Sequence, residues 1–423
     1  MNKLERKDLL TRRKAVLKEV ENNSIILIYG SKNIIKTNDI EYDFRQDSDF
    51  LYLIGIKESN LVSLILKKDN KFKVILFRDE SSEFEKQWIG TKKSNSLIKK
   101  DYAIDSVYPL SKMHEVCCKI KGKYKNLYFS RFSRSLKNRT LERVLHSSCS
   151  NKSKNDISKI INNKRLIKTP YEIKQMQKAA DISVQAHQRV MEKLRHCKYE
   201  YQIHAELNYV FNKNNTQEAY PSIVASGENA CILHYIDNKS DLKKNDLLLI
   251  DAAAEYNHYA SDITRTYPIS GKFSRNQALL YNTVLTSQLA TIKEIKPGMT
   301  WEDVHQITIR EITIGLIKLG ILKKSIEYSI KNGLYKRYFM HGTGHWLGLD
   351  VHDVGDRNEI FKPGMIITVE PGIYISANDN QVEKKWRGIG IRIEDDVLIT
   401  QKSCKVLTAK LPKRISEIEK LCA

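Results

Sequence analysis

Acidic side chains end four separate runs of apolar and β-branched residues in the C-terminal half of the chain. The four carboxylates are Asp251, Asp262, Glu370 and Glu394, at the ends of the runs 247–251, 259–262, 366–370 and 390–394. Runs of this length and composition predict β-strands. Because a strand holds its side chains in fixed directions, the fold must bring these strand ends together if the carboxylates act as one site.

Histidines and glycines are concentrated in the stretch 341–353. Three of the 11 histidines of the chain occur there, with three glycines between them, namely His341, His345 and His352 with Gly342, Gly344 and Gly348. Neutral imidazole is a common metal ligand and also serves as acid, base or oxyanion donor, and glycine lets the backbone approach other groups closely. A glycine-rich loop with incidental histidines is the alternative, and the number of histidines favours a functional loop.

The two patterns together indicate a metal site. Two aspartates, two glutamates and one histidine form a hard, mostly oxygen ligand set. Such a set suits a pair of divalent ions bridged by carboxylates, with Mn²⁺ as the natural occupant and Zn²⁺ or Co²⁺ as alternatives.

These residues resemble the metallopeptidases of the pita-bread fold, the group that includes aminopeptidase P, prolidase and methionine aminopeptidase. The group shares five metal ligands in the order Asp, Asp, His, Glu, Glu, and this order matches Asp251, Asp262, His345, Glu370 and Glu394. All five positions are filled, which argues against a catalytically inactive binding module of the same fold. The stretch HGTGHWLGLDVHDVG is most similar to aminopeptidase P and prolidase.

The resemblance implies a role for each residue of the site. Asp262 and Glu394 would bridge two ions, Asp251 would complete one ion site, and His345 with Glu370 would complete the other. Glu370 would also carry the proton during hydrolysis.

Four further residues are assigned to substrate by the same resemblance. His352 would stabilise the oxyanion, and His234 and His341 would orient the peptide. Arg392 lies two residues before Glu394 and so on the same strand face, where it can pair with a ligand carboxylate or a substrate carboxylate.

The chain predicts two domains of an α/β (α+β) class. Residues 1–165 would form a smaller mixed α/β domain, and residues 170–423 a catalytic pita-bread domain with a curved antiparallel sheet. Thr169-Pro170-Tyr171-Glu172 is a capping box with proline at the first helical position, which predicts that a long helix opens the second domain. In the first domain, residues 43–55 and the segment around Trp88 resemble aminopeptidase P. In oligomeric members that segment reaches a neighbour's active site, which implies substrate contact by Trp88 and a homo-oligomer, a dimer or tetramer.

The resemblance implies a Xaa-Pro aminopeptidase, which removes the first residue from peptides with proline in second position. A prolidase, which cuts only Xaa-Pro dipeptides, is the alternative. The formal net charge is +21, but the basic residues are scattered, so we expect no nucleic-acid partner. We also expect no membrane span or secretory signal. An odd number of cysteines, seven, without a Cys-x-x-Cys pair favours reduced thiols in the cytoplasm.

Overall fold

The computed structural model describes residues 1–120, 122–130, 145, 149 and 154–422. The chain divides into two compact units, Met1–Arg165 and Leu166–Ala423. The division falls close to the predicted domain boundary, and independent folding of the two parts stays a prediction.

A six-stranded mixed sheet forms the centre of the first unit. Its strand order is β6-β5-β4-β1-β7-β8, and β1 pairs antiparallel with β4 and parallel with β7. The strands of this unit, including a separate β2–β3 hairpin, are β1 Ser24–Tyr29, β2 Ile35–Thr37, β3 Ile40–Glu41, β4 Val62–Lys68, β5 Lys71–Phe77, β6 Ser106–Tyr108, β7 Asn126–Phe129 and β8 Lys154–Asp156. Its helices are α1 Lys3–Glu19, α2 Ser48–Leu53, α3 Glu83–Trp88, α4 Asn95–Tyr102 and α5 Met113–Ile120, and α6 Ser158–Leu166 spans the division between the units.

A long helix opens the second unit where the capping box predicts it. This helix, α7, spans Pro170–Lys193. The Thr169 hydroxyl accepts from the Glu172 amide at 3.2 Å, and the Glu172 carboxylate accepts from the Thr169 amide at 2.9 Å. Both bonds of the capping box are therefore present. The other helices are α8 Glu200–Lys213, α9 Arg275–Glu294, α10 Trp301–Lys318, α11 Ile326–Lys331 and α12 Ile415–Leu421.

The strands of the second unit pair antiparallel in four small sheets, of order β10-β11-β14, β13-β12-β9, β15-β18-β19 and β16-β17. Their bounds are β9 Gln217–Glu218, β10 Ile223–Ser226, β11 Leu247–Asp251, β12 Ala254–Tyr256, β13 Tyr259–Ala260, β14 Thr264–Pro268, β15 Ile366–Val369, β16 Gly372–Ile375, β17 Ile389–Arg392, β18 Asp395–Ile399 and β19 Cys404–Val406. The predicted fold class, mixed α/β with mostly antiparallel sheets, is confirmed.

Breaks between consecutive strands position the acidic residues. Asp251 is the last residue of β11, whereas Asp262 lies between β13 and β14, Glu370 between β15 and β16, and Glu394 between β17 and β18. Apolar side chains such as Val190 of α7, Ile250 of β11 and Ile391 of β17 pack into one buried cluster that fixes these strands. The acidic residues therefore leave the sheet at points held by the core.

None of the helices in the described part of the chain is both long enough and apolar enough to cross a membrane.

Candidate metal centre

A cavity of about 680 Å³ in the second unit brings the predicted site residues together. Its lining includes the five expected metal ligands and four of the residues assigned to chemistry or substrate, namely Asp251, Asp262, His345, Glu370, Glu394, His234, His341, His352 and Arg392. Residues separated by more than a hundred positions in sequence thus face one space.

Three of the expected ligands lie close enough to one another to hold one metal ion. One ligand atom from each of Asp262, His345 and Glu394 lies within 4.8 Å of the others. The Nε2 atom of His345 is 3.3 Å from Asp262 Oδ2 and 3.6 Å from Glu370 Oε1. Its Nδ1 atom lies 2.9 Å from the Trp346 carbonyl oxygen, which can only accept. In the neutral ring Nδ1 therefore carries the hydrogen, and the Nε2 lone pair faces the carboxylates.

Asp251 is held between a cation and a phenol. Arg392 Nη2 donates to Asp251 Oδ2 at 2.7 Å. The Tyr220 hydroxyl lies 2.7 Å from Asp251 Oδ1 and 2.6 Å from Asp262 Oδ1. One hydroxyl hydrogen serves two carboxylate oxygens, so Tyr220 ties the two aspartates to a common point.

The electrostatics of the cavity show a surplus of negative charge. Burial and the neighbouring carboxylate of Asp251 raise the pKa of Asp262, and burial raises the pKa of Glu370 to about 7. Burial and the carboxylates of Asp262 and Glu370 raise the pKa of Glu394 well above its usual value. Although burial opposes its charge, Asp262 and Glu370 raise the pKa of His345 to about 9. Divalent cations would supply the positive charge that these oxygen ligands lack, so the residues fit such ions.

Hydroxyl groups orient the two glutamates. Thr264 Oγ1 donates to Glu394 Oε2 at 2.7 Å, and Thr368 Oγ1 donates to Glu370 Oε1 at 3.2 Å. Thr368 also accepts from the His345 backbone amide at 3.0 Å, which links two of the expected ligands. Ligand-orienting partners of this kind are a usual feature of metal sites.

Two buried acidic residues that follow Glu394 support the framework rather than line the cavity. Asp396 Oδ1 accepts from the Asp262 backbone amide at 3.1 Å. Asp395 pairs with Arg265 at 2.7 Å and with Lys413 at 2.6 Å. Against the effect of burial, these two cations hold the pKa of Asp395 well below its usual range.

Arg392 and His341 make their polar contacts with the protein. Arg392 is 4% exposed, and its Nε and Nη1 atoms donate to Thr264 Oγ1 and Tyr374 Oη, each at 3.0 Å. His341 Nδ1 lies 2.8 Å from the Gly342 carbonyl oxygen and its Nε2 lies 2.9 Å from Tyr374 Oη. Burial and the charge of Arg392 lower the pKa of His341 to about 4. Of the two partners left open for Arg392, the structure provides the carboxylate of Asp251, one of the expected ligands.

His352 and His234 also line the cavity. Both are exposed, and the His352 ring centroid lies 4.4 Å from that of His345. Burial of part of the ring and the neighbouring His345 lower the pKa of His352. Both side chains are thus accessible to a molecule that enters the cavity.

Trp88 is the predicted site residue that lies in the first unit. It is the last residue of α3, is 72% exposed, and stacks on Phe84 with ring centroids 5.2 Å apart. The substrate contact predicted for it stays a prediction.

Several residues that contact the expected ligands or line the cavity were not predicted from the sequence. Tyr220, Thr368 and Tyr374 carry no motif of their own, and Arg265 lies inside the Asp262 motif without a sign of its partner. Arg357 also lines the cavity, where its Nη1 donates to the Gly344 carbonyl oxygen at 2.8 Å and its guanidinium lies over the Trp301 ring. In the sequence, these residues could have been found only as hydroxyl or basic side chains next to an expected ligand motif.

Family models match both parts of the chain. The model of metallopeptidase family M24 matches residues 174–401, and the model of the aminopeptidase P N-terminal domain matches residues 10–128. Among curated proteins, the Xaa-Pro aminopeptidase of Escherichia coli is 36% identical over 438 residues, which covers 100% of this chain and 98% of the relative. The Xaa-Pro aminopeptidase of Haemophilus influenzae is 39% identical over 426 residues, with the same coverage.

Solved structures agree along the whole chain. Zinc-substituted E. coli aminopeptidase P in complex with product superposes with a TM-score of 0.95 at 34% identity, covering 99% of this chain and 98% of that one. The Pseudomonas aeruginosa aminopeptidase PepP superposes with a TM-score of 0.93 at 37% identity, with the same coverage.

Proposed function

The chain belongs to metallopeptidase family M24, and from this we propose that it is a dinuclear-metal Xaa-Pro aminopeptidase. It releases the N-terminal residue from peptides whose second residue is proline. The observation that carries this proposal is the convergence of the five ligand residues and three histidines on one cavity. The likeness to Xaa-Pro aminopeptidases extends through both units, which supports the enzyme over an inactive binding module.

We propose that two divalent ions bind per chain at Asp251, Asp262, His345, Glu370 and Glu394. Mn²⁺ is our first choice because the set is rich in carboxylate oxygens, and Zn²⁺ or Co²⁺ are the alternatives. When bound, such a pair lowers the pKa of water and polarises the scissile carbonyl group. The zinc-substituted relative in complex with product supports a metal-dependent reaction of the same kind.

Glu370 and His352 are the residues that we assign to proton transfer and charge stabilisation. The Glu370 carboxylate lies between two histidines, with Oε2 3.9 Å from His341 Nδ1 and Oε1 3.6 Å from His345 Nε2. It can take a proton from the attacking water and pass it to the leaving imide nitrogen. The exposed His352 ring can donate to the carbonyl oxygen as negative charge develops there.

His234, His341 and Arg392 would orient the peptide and the side chains around it. The exposed His234 can contact the incoming peptide directly. His341 contacts Tyr374, and Arg392 contacts both Tyr374 and Asp251, so these two hold the ligand side of the cavity in place. Through them the position of Asp251 depends on a buried hydrogen-bonded chain.

The proline-containing bond determines the substrate class. An Xaa-Pro imide has no N–H, so the site must recognise the peptide through other groups. A prolidase would need a cation against the free carboxylate that follows proline, and Arg357 on the cavity wall is a cation that could serve it. Prolidase is therefore retained as the alternative, and the full-length likeness to Xaa-Pro aminopeptidases favours the first function.

A substrate comparison tests the proposal. In the presence of Mn²⁺, Ala-Pro-Ala and a longer Ala-Pro peptide should be hydrolysed faster than the dipeptide Ala-Pro, with alanine released. Ala-Ala-Ala is the matched control, because it replaces the imide with an ordinary amide. Hydrolysis of the dipeptide alone would identify a prolidase and overturn the proposal.

Assembly and location complete the proposal. We propose a homo-oligomer, a dimer or tetramer, in which the exposed Trp88, Phe84 and Ile89 take part in contacts between copies. We also propose a cytoplasmic enzyme, since an odd number of cysteines without a Cys-x-x-Cys pair favours reduced thiols. Its partners are peptides with an Xaa-Pro N-terminus.

A further inference from the structure

A buried glutamate outside the cavity organises the loop that carries His234. Glu200, the first residue of α8, is 0% exposed. Its Oε1 atom accepts from the Ser226 amide at 2.7 Å, the Ser226 hydroxyl at 2.8 Å and Asn229 Nδ2 at 3.0 Å. Its Oε2 atom accepts from the Tyr235 hydroxyl at 2.8 Å and the Ser240 amide at 2.9 Å. All five partners donate to Glu200, and the three N–H groups among them can only donate.

The five bonds fasten both ends of one loop to the same point. Ser226 ends β10 at the start of the loop, and Ser240 stands near its end. The Ser240 carbonyl oxygen in turn accepts from the Glu200 amide at 3.0 Å. A single residue of α8, a helix that forms neither end of the loop, therefore holds the two ends of the loop together.

His234 lies on this loop next to one of the fastened residues. Tyr235 follows it directly and reaches Glu200 through its hydroxyl. Asn238 adds a second attachment, because its side chain accepts from the Val224 amide at 2.9 Å and donates to the Ser222 carbonyl oxygen at 2.8 Å. His234 itself is exposed and lines the cavity. Its ring makes no hydrogen bond or ion pair with the described residues, so the loop sets its position relative to the peptide.

We infer that Glu200 is a positioning residue for the peptidase reaction, acting through Tyr235 to hold His234 toward the substrate. This inference rests on the proposed function. Glutamine cannot replace Glu200 without the loss of a hydrogen bond. Its amide nitrogen would face the N–H donors of Ser226 and Asn229 in one orientation and the Ser240 amide in the other. A small displacement of a substrate-contacting group is enough to lower the rate strongly, even when its cause lies outside the site.

A double-mutant cycle tests the inference. The variants are Glu200→Gln, His234→Ala and the combination, assayed for kcat/KM on Ala-Pro-Ala in Mn²⁺, with bound manganese measured by elemental analysis. Glu200→Gln should lower kcat/KM about 10-fold with the manganese content unchanged. In the His234→Ala background the same substitution should change kcat/KM by less than about twofold, because the group it positions is gone.

A matched substitution on the same helix provides the control. Glu206 accepts from Arg189 at 2.5 Å and makes no hydrogen bond to the loop among the described residues, so Glu206→Gln should behave like the wild type. If Glu200→Gln does not fold, Tyr235→Phe removes one hydroxyl and takes its place in the cycle, with a smaller loss in the same direction.

Four results would overturn the inference while leaving the proposed function intact. These are wild-type kcat/KM in Glu200→Gln, no effect of His234→Ala, equal losses from Glu200→Gln in the two backgrounds, or loss of manganese in Glu200→Gln. A wild-type enzyme that cleaves no Xaa-Pro peptide would overturn the proposed function itself, and the inference with it.

Discussion

Removal of the buried guanidinium of Arg265 should destabilise the second unit strongly. Arg265 is 0% exposed and donates to Asp395 Oδ1 at 2.7 Å. It also donates to the carbonyl oxygens of Glu394 at 2.6 Å, Thr264 at 3.0 Å, Leu411 at 3.2 Å and Pro412 at 3.2 Å. Arg265→Met keeps an unbranched apolar side chain, shorter than that of arginine, and removes every one of these donors.

The size of the effect follows from what is left behind. Asp395 keeps Lys413 at 2.6 Å, so the carboxylate is not wholly uncompensated. Removing one partner of a buried ion pair costs about 3–5 kcal/mol of unfolding free energy. For a unit of this size that corresponds to a fall in Tm of about 6–20 °C. Because Arg265 also holds the backbone at Glu394 and Thr264, kcat/KM should fall as well.

Arg337 offers a matched control in the same unit. Its Nε and Nη2 atoms bond to the two carboxylate oxygens of Asp379 at 2.9 and 2.8 Å, but its side chain is 44% exposed. Arg337→Met should therefore cost less than about 1 kcal/mol. Urea unfolding followed by tryptophan fluorescence measures both variants. Equal or smaller destabilisation by Arg265→Met would refute the argument that burial of the pair decides its contribution.

Two further predictions concern the metal ligands and a buried histidine. Asp262→Ala and Glu394→Ala should each remove both divalent ions, because each is assigned as a bridging ligand; elemental analysis that finds two full equivalents would contradict that assignment. Burial lowers the pKa of His187 from 6.5 to about 4, so as the pH falls through this window the unfolded chain binds the proton before the folded chain does. Above pH 6.5 this group costs no stability, and between pH 6.5 and 4 the wild type should lose up to about 3 kcal/mol relative to His187→Gln. If the unfolding free energies of the two proteins differ by the same amount at every pH across that range, this role of His187 is excluded.

The fold class and the family could be predicted because their signals are local. A capping box at Thr169 and Glu172 marks a helix start within four residues, and apolar runs before acidic residues mark strands. The ligand order of the family survives as spacing along the chain. Each of these patterns depends on residues that are close together in the sequence. It can therefore be recognised without knowledge of the tertiary structure.

The contacts that hold the site together could not be predicted in this way. Thr264 and Glu394 are 130 residues apart, as are Arg265 and Asp395, and each pair meets only because β14, β17 and β18 are packed together. Arg392 could have paired with a substrate or with a ligand carboxylate, and the register that brings it to Asp251 and Tyr374 decides between them.

The sequence by itself therefore determined the family and the kind of fold, and it predicted which side chains would bind divalent ions. The tertiary structure decided which of the remaining polar side chains line the cavity and which form hydrogen bonds that support the residues around it. Glu200 is the clearest case, since a surface-like Glu-Tyr start of a helix becomes a fully buried acceptor of five hydrogen bonds. The physical reason is that burial and hydrogen-bond partnership belong to the packed chain, and a charged residue has neither until distant segments close around it.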